Sequence, residues 1–141
     1  MTILNVMINI WAVLASAVAS MIIGSIWYGP LFGKTFITAM GWGNKTPEES
    51  KAMMKGMQMT YVWQFIASVV MFVVLAWFIG DLNKLTVMGG IKTALLVWIG
   101  FVAPMKLGDS LWGGKMTLFW LGAGNSLVTL LAAGAIIGAI K

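Results

Sequence analysis

Cysteine and histidine are both missing from this 141-residue chain, and all of its cations are lysines, with no arginine. Without a thiol or an imidazole there is no thiol nucleophile, no Cys/His zinc site, no iron–sulfur cluster, no haem ligated by either residue and no Ser-His-Asp hydrolysis within the chain. Nor is there a disulfide from which a redox compartment could be read. Charge of either sign is scarce, at 9% of residues, where a soluble domain carries about a quarter. Carboxylates are the scarcest group: Asp81, Asp109, Glu48 and Glu49, none within a long apolar run. A proton-coupled carrier needs such a membrane-buried carboxylate. Nucleic-acid surfaces rely on arginine and a continuous basic stripe, so no nucleic-acid partner is expected. Met53, Met54, Met57 and Met59 cluster together, and thioethers bind copper(I). Methionine fills apolar faces equally well without a metal, and no metal, cofactor or catalytic residue is assigned.

What is there is apolar, at 60% of the chain. From Ile3 to Ile26 no formal charge occurs, about 24 residues where roughly 20 cross a bilayer as a helix. The run leaves through Trp27-Tyr28-Gly29-Pro30-Leu31-Phe32-Gly33-Lys34: aromatic anchors, a helix breaker and the first lysine, as expected where a chain passes from lipid to water. Ala15-Ser16-Ala17 imitates a signal-peptide cleavage site, but no cation precedes the run and its apolar character continues beyond, which predicts an uncleaved helix. Leu31 to Met40 suits a short interfacial helix or an aromatic-anchored loop. Thr46-Pro47-Glu48-Glu49 reads as a capping box with proline at the first helical position, predicting a helical extension that joins the second span.

The expected fold is all-α, a single polytopic membrane domain over residues 1–141 with four transmembrane helices at about 3–28, 58–80, 86–104 and 116–140. Gly80 and Pro104 are read as helix ends, and 105–115 as a glycine-rich connection. Four spans put both termini on one side. Lys34, Lys45, Lys51, Lys55, Lys106 and Lys115 fall in the first and third connections, against Lys84 and Lys141 opposite, with Lys92 inside the third span. The positive-inside rule then predicts the cytoplasmic membrane, a cytoplasmic first connection and both termini outside. Trp27, Tyr28, Trp42, Tyr61, Trp63, Trp112 and Trp120 gather at the lysine-rich end. No fixed-period repeat is visible. The likeness of Ile26-Trp27-Tyr28-Gly29 to Leu111-Trp112-Gly113-Gly114 is too slight to carry a duplication.

Two helical faces are built of small residues. Ala12, Ser16, Ser20 and Gly24 recur every four residues in the first span, with Asn5 and Asn9 extending the face. Gly122, Ser126, Gly134 and Gly138 do the same in the fourth, broken only by Leu130 and ending in a GxxxG. Such faces let helix backbones approach closely in lipid. Unpaired amides are costly in hydrocarbon, so Gln64, Asn125 and Thr129, with Ser16 and Ser20, are the candidates for a polar inter-helix seam; interhelical packing bonds are the plainer reading. Lys92 can snorkel outward, and Asp109 sits near Lys106 and Lys115 as a local ion pair.

Asn9-Ile10-Trp11-Ala12-Val13-Leu14, the exit from Trp27 to Lys34, and Gly122-Ala123-Gly124-Asn125-Ser126-Leu127-Val128-Thr129 with Gly134-Ala135-Ile136-Ile137-Gly138 resemble a family of small microbial membrane proteins catalogued as domain of unknown function 1761. The resemblance spans nearly the whole chain, is most specific at Trp27, Tyr28, Gly29, Pro30, Gly33 and Lys34, and implies a four-helix membrane protein of no agreed activity. The family pattern often carries a histidine near position 126, where this chain has Ser126. The features together lead to a small non-enzymatic membrane protein. It is expected to self-associate through its small-residue faces and to serve as a passive channel or carrier along the polar seam. The alternative is a non-catalytic accessory subunit of a larger membrane complex. Partners are the lipid bilayer and either a homo-oligomer or such a complex.

Overall fold

The apolar run beginning at Ile3 does not become helical at once. In the computed structural model, which describes residues 2–40, 48–49, 52, 58–83, 85–114 and 116–140, β1 (Thr2–Ile3) pairs antiparallel with β2 (Val6–Met7), Thr2 opposite Met7 and Ile3 opposite Val6. Leu4 and Asn5 join the strands with φ of 45° and 68°, the two left-handed residues of a type I′ hairpin turn. Asn5 is therefore a turn residue and belongs to no helical face. Asn9 caps α1 (Ile10–Ile26), its Oδ1 accepting from the Trp11 and Ala12 N–H groups at 3.0 and 3.4 Å. The first span thus starts at Ile10, not Ile3.

Four helical segments, Ile10–Leu31, Gln58–Asp81, Val87–Gly113 and Met116–Ala139, are long and apolar enough to cross a membrane. The protein is an all-α polytopic membrane protein. The first span widens after α1 into a π turn, Trp27–Leu31, and continues as α2 (Gly33–Met40). The second span is α3 (Gln58–Asp81). It runs through Gly80, whose missing side chain makes room for Val6 of the hairpin, while the Trp77 indole donates to the Ile3 carbonyl at 3.1 Å.

Nor does the third span stop at Pro104. It comprises α4 (Val87–Val97), a second π turn (Trp98–Val102) and α5 (Ala103–Gly113), and ends at Gly114 with φ 73°, a left-handed cap that glycine adopts without strain. Each π turn is closed by a carbonyl that reaches five residues on: Trp27 to the Phe32 N–H, Trp98 to the Ala103 N–H. Pro30 lies inside the first such turn and Pro104 just beyond the second. A proline ring collides with the carbonyl four residues earlier in a regular helix, and a widened turn relieves that clash, so the span bends rather than breaks. Both turns open with Trp-x-Gly, at Trp27-Tyr28-Gly29 and Trp98-Ile99-Gly100. The chain is thus built twice over, as a span interrupted at Trp-x-Gly and then an unbroken helix of 24 residues.

The last of these, α6 (Met116–Ala139), is the helix that α1, α3, α4 and α5 all pack upon. The core joins Val13 and Ala17 of α1, Phe72 and Ile79 of α3, Ala94 of α4 and Leu130 of α6. Glu48, Glu49 and Ala52 are helical. The rest of the capping box, Thr46-Pro47, and the join to the second span fall outside the described residues, as do Trp42, Met53, Met54, Met57 and the lysines at 45, 51, 55, 84, 115 and 141.

Candidate functional site

Two tryptophans, one from each π turn, grip the same stretch of α6. Trp27 Nε1 donates to the Leu121 carbonyl at 3.0 Å, and Trp98 Nε1 donates to the Ala123 carbonyl at 3.0 Å. Gly124 is what lets the first ring in, since a β-carbon there would lie 2.8 Å from the Trp27 ring. Further along, α6 meets α4 backbone to backbone: a β-carbon on Gly90 would overlap the Gly134 carbonyl, and one on Gly134 or Gly138 would overlap the carbonyl of Gly90 or Thr86. Between the indole clamp and the glycine seam lie Asn125 and Thr129, one helical turn apart and on one face with Gly122 and Ser126.

A hydroxyl buried in a membrane helix ordinarily satisfies itself on the preceding turn. Ser16, Ser20, Ser25, Ser68, Thr93 and Ser126 all do so, donating to carbonyls three or four residues earlier at 2.7–2.9 Å. Thr129 does not. Its residue is 7% exposed, and its Oγ1 and the Oδ1 of Asn125 are buried with no hydrogen-bond partner. A buried, unsatisfied polar atom costs about 1–3 kcal/mol, so this pair stands out from the other hydroxyls of the bundle. The neighbouring cation is Lys106 of α5, whose Nζ lies 3.4 Å from where a β-carbon on Gly122 would sit. No carboxylate is carried by α1, α4 or α6. The polar groups presented there are hydrogen-bonding ones, with Lys106 and Asp109 the ionisable residues of the adjoining α5.

The five residues expected to form a polar seam differ in their bonding, and only Asn125 and Thr129 lack partners. Ser16 is 1% exposed and bonded to Ala12, and Ser20 is bonded to Ala17. Gln64 lies on the exposed side of α3, its amide 3.5 Å from Ser68 of the same helix. The short side chain at position 12 is buried in the core, while a β-carbon on Gly24 would touch nothing. Gly134 and Gly138 engage α4 of the same chain, Gly122 faces Lys106, and Ser126 bonds to the Gly122 carbonyl. At the exit motif, Trp27 meets Phe32 at a tilt of 49° with centroids 4.7 Å apart, Tyr28 meets Phe36 edge-on at 4.8 Å, and Gly33 lies against the Tyr28 carbonyl. Gly29, Pro30 and Lys34 are exposed. Met59 is exposed and Lys92 is exposed on α4.

Sequence reasoning missed Trp98, Gly90 and Gly124, and took Lys106 only as a topology marker and a partner for Asp109. The recurrence of Trp-x-Gly could have found Trp98, and with it the equivalence of the two interrupted spans. Only the neighbouring helix reveals the two glycines.

A family model described as protein of unknown function (DUF1761) matches residues 11–138. No curated protein and no solved structure matches the chain.

Proposed function

Since the chain belongs to the DUF1761 family, whose function is unknown, we propose from its own geometry that it is a non-enzymatic, solute-binding membrane protein of the passive carrier type, with its site at Asn125 and Thr129 of α6. The observation that carries this reading is the unpaired Thr129 hydroxyl beside the unpaired Asn125 oxygen, in a bundle where Ser16, Ser20, Ser68, Thr93 and Ser126 each bond to their own helix. The position supports it as well. Interrupted spans in corresponding places of two halves mark binding sites in membrane carriers, and the π turns opening at Trp27 and Trp98 both reach α6 just before Asn125. The ligand is a small solute that donates a hydrogen bond to Asn125 and exchanges one with Thr129. Self-association is not required: the small residues that suggested it, Ala12, Ser16, Gly134 and Gly138, are used within one chain. The lysine distribution supports the cytoplasmic membrane with both termini outside.

The test is solute entry into proteoliposomes, monitored by light scattering with glycerol, urea and formamide as probes. Wild-type protein speeds the entry of at least one of them. Asn125→Leu and Thr129→Val each lower that rate about tenfold, the value of one buried hydrogen bond, while helicity by circular dichroism stays unchanged. Wild-type vesicles no leakier than empty ones, or variants as active as wild type, overturn the carrier reading and leave the accessory-subunit role in its place.

A further inference from the structure

A second site, independent of Asn125 and Thr129, lies at the end of the bundle where α2 leaves the first span. A cleft of about 410 Å³ opens there between α2 and the start of α6, lined by Lys34, Thr35, Thr38, Ala39 and Thr117. The position of α2 is fixed from its other side. Phe36 packs edge-on against Tyr28, Phe32 packs at a tilt against Trp27, and the Trp27 indole is itself bonded to the Leu121 carbonyl of α6. Lys34, Thr35 and Thr38 are thereby turned as a group toward the first turn of α6. Among the described residues the lining supplies one ammonium and three hydroxyls, and no carboxylate. The opening N–H groups of α6, which have no partner within their own helix, add to the same positive field.

We propose that this cleft binds the phosphate group of an anionic phospholipid. Charge and donor chemistry select a phosphate, with Lys34 as counter-ion and Thr35, Thr38 and Thr117 as hydrogen-bond donors. The setting selects the lipid over a soluble anion. Leu31, Ile37 and Met116, which flank the lining residues in the chain, are 61%, 42% and 40% exposed and apolar, so acyl chains have a surface to run along below the headgroup. Trp27 and Tyr28 lie in the same short stretch, and such rings favour the headgroup level. The site would tether α2 to the membrane plane and hold it against α6.

The purified full chain, incubated in mixed micelles of phosphatidylcholine and phosphatidylglycerol, is tested by native mass spectrometry of the retained lipid. Wild type retains phosphatidylglycerol in preference. Lys34→Gln lowers that preference about tenfold, the worth of one charge-assisted contact, while Lys34→Arg keeps it. Lys92→Gln, which removes an exposed lysine outside the cleft, leaves it unchanged. Thr35→Val with Thr38→Val leaves every charge in place and also weakens retention, which guards against a Lys34 variant that fails to fold. Undiminished retention in Lys34→Gln and in the double threonine variant overturns the proposal, as does an equal loss in Lys92→Gln. Displacement of the lipid by inorganic phosphate assigns the site to a soluble anion and overturns the lipid assignment.

Discussion

Gly134→Ala is the sharpest probe of how this bundle is held together. In an isolated helix the change would stabilise by about 1 kcal/mol, because alanine has the higher helix propensity. Here the added methyl overlaps the Gly90 carbonyl oxygen, comes 2.7 Å from the Gly90 carbonyl carbon and lies 3.0 Å from the Ala94 β-carbon. Two of those atoms are backbone and cannot rotate away, so α4 and α6 must separate. Overpacking costs about 1–3 kcal/mol, and parting two helices in van der Waals contact also forfeits dispersion along the seam. The net expectation is a loss of about 2 kcal/mol, or roughly 6–10 °C in Tm for a domain of this size. Tm is read from tryptophan fluorescence in detergent, with Gly24→Ala as the control, since a β-carbon at Gly24 meets nothing within 4 Å. Gly90→Ala destabilises similarly, and the double variant costs less than the sum because either methyl alone already parts the helices. A Gly134→Ala protein that melts at or above wild type would refute the backbone contact and return the GxxxG to a role between chains.

The same geometry sets three further outcomes. Thr129→Val, by removing an unpaired buried hydroxyl at nearly constant volume, raises stability by about 1 kcal/mol while lowering solute entry; a lower Tm would mean the hydroxyl is bonded after all. Trp27→Phe and Trp98→Phe each lose one indole hydrogen bond to α6, about 1 kcal/mol apiece, measured as Tm shifts against a Trp120→Phe control, whose ring is 69% exposed. Gln64→Leu changes neither Tm nor permeation beyond about 0.5 kcal/mol equivalent, because its amide reaches only Ser68 of its own helix; lost permeation would restore it to the pathway.

The four spans were legible because length and apolarity alone decide what crosses a bilayer. The failures share a physical cause, which is that local rules were overridden by neighbours. Thr2 to Met7 looks like helix because it is as apolar as the span it leads into, and its turn at Leu4-Asn5 lacks the glycine that usually announces one. Asn9, an N-cap standing immediately before Ile10, was the signal in the sequence. Pro104 reads as a stop, yet a π turn anchored at Trp98 carries the helix past it. Each extra residue in such a turn rotates everything beyond it by about 100°, so faces read across Trp98 do not carry over to 105–113. For Gln64, an amide within an apolar run marks the residue but says nothing about which way that side of α3 faces. For Gly134 and Gly138, spacing announces a close approach and leaves the partner unnamed. At the candidate site, Asn125 and Thr129 were legible as polar residues in hydrocarbon. Their lack of partners was not, because that depends on what α1 and α4 fail to present.

The meeting of Gly90 with Gly134 also decides where this molecule can move. Two helices touching through bare peptide groups leave no gap for a lipid tail or a water molecule to wedge into, so α4 and α6 must travel together as one slab. On the flank of the first span one hold on α6 is a side chain, the Trp27 indole bonded to the Leu121 carbonyl, which can turn away without parting backbone from backbone.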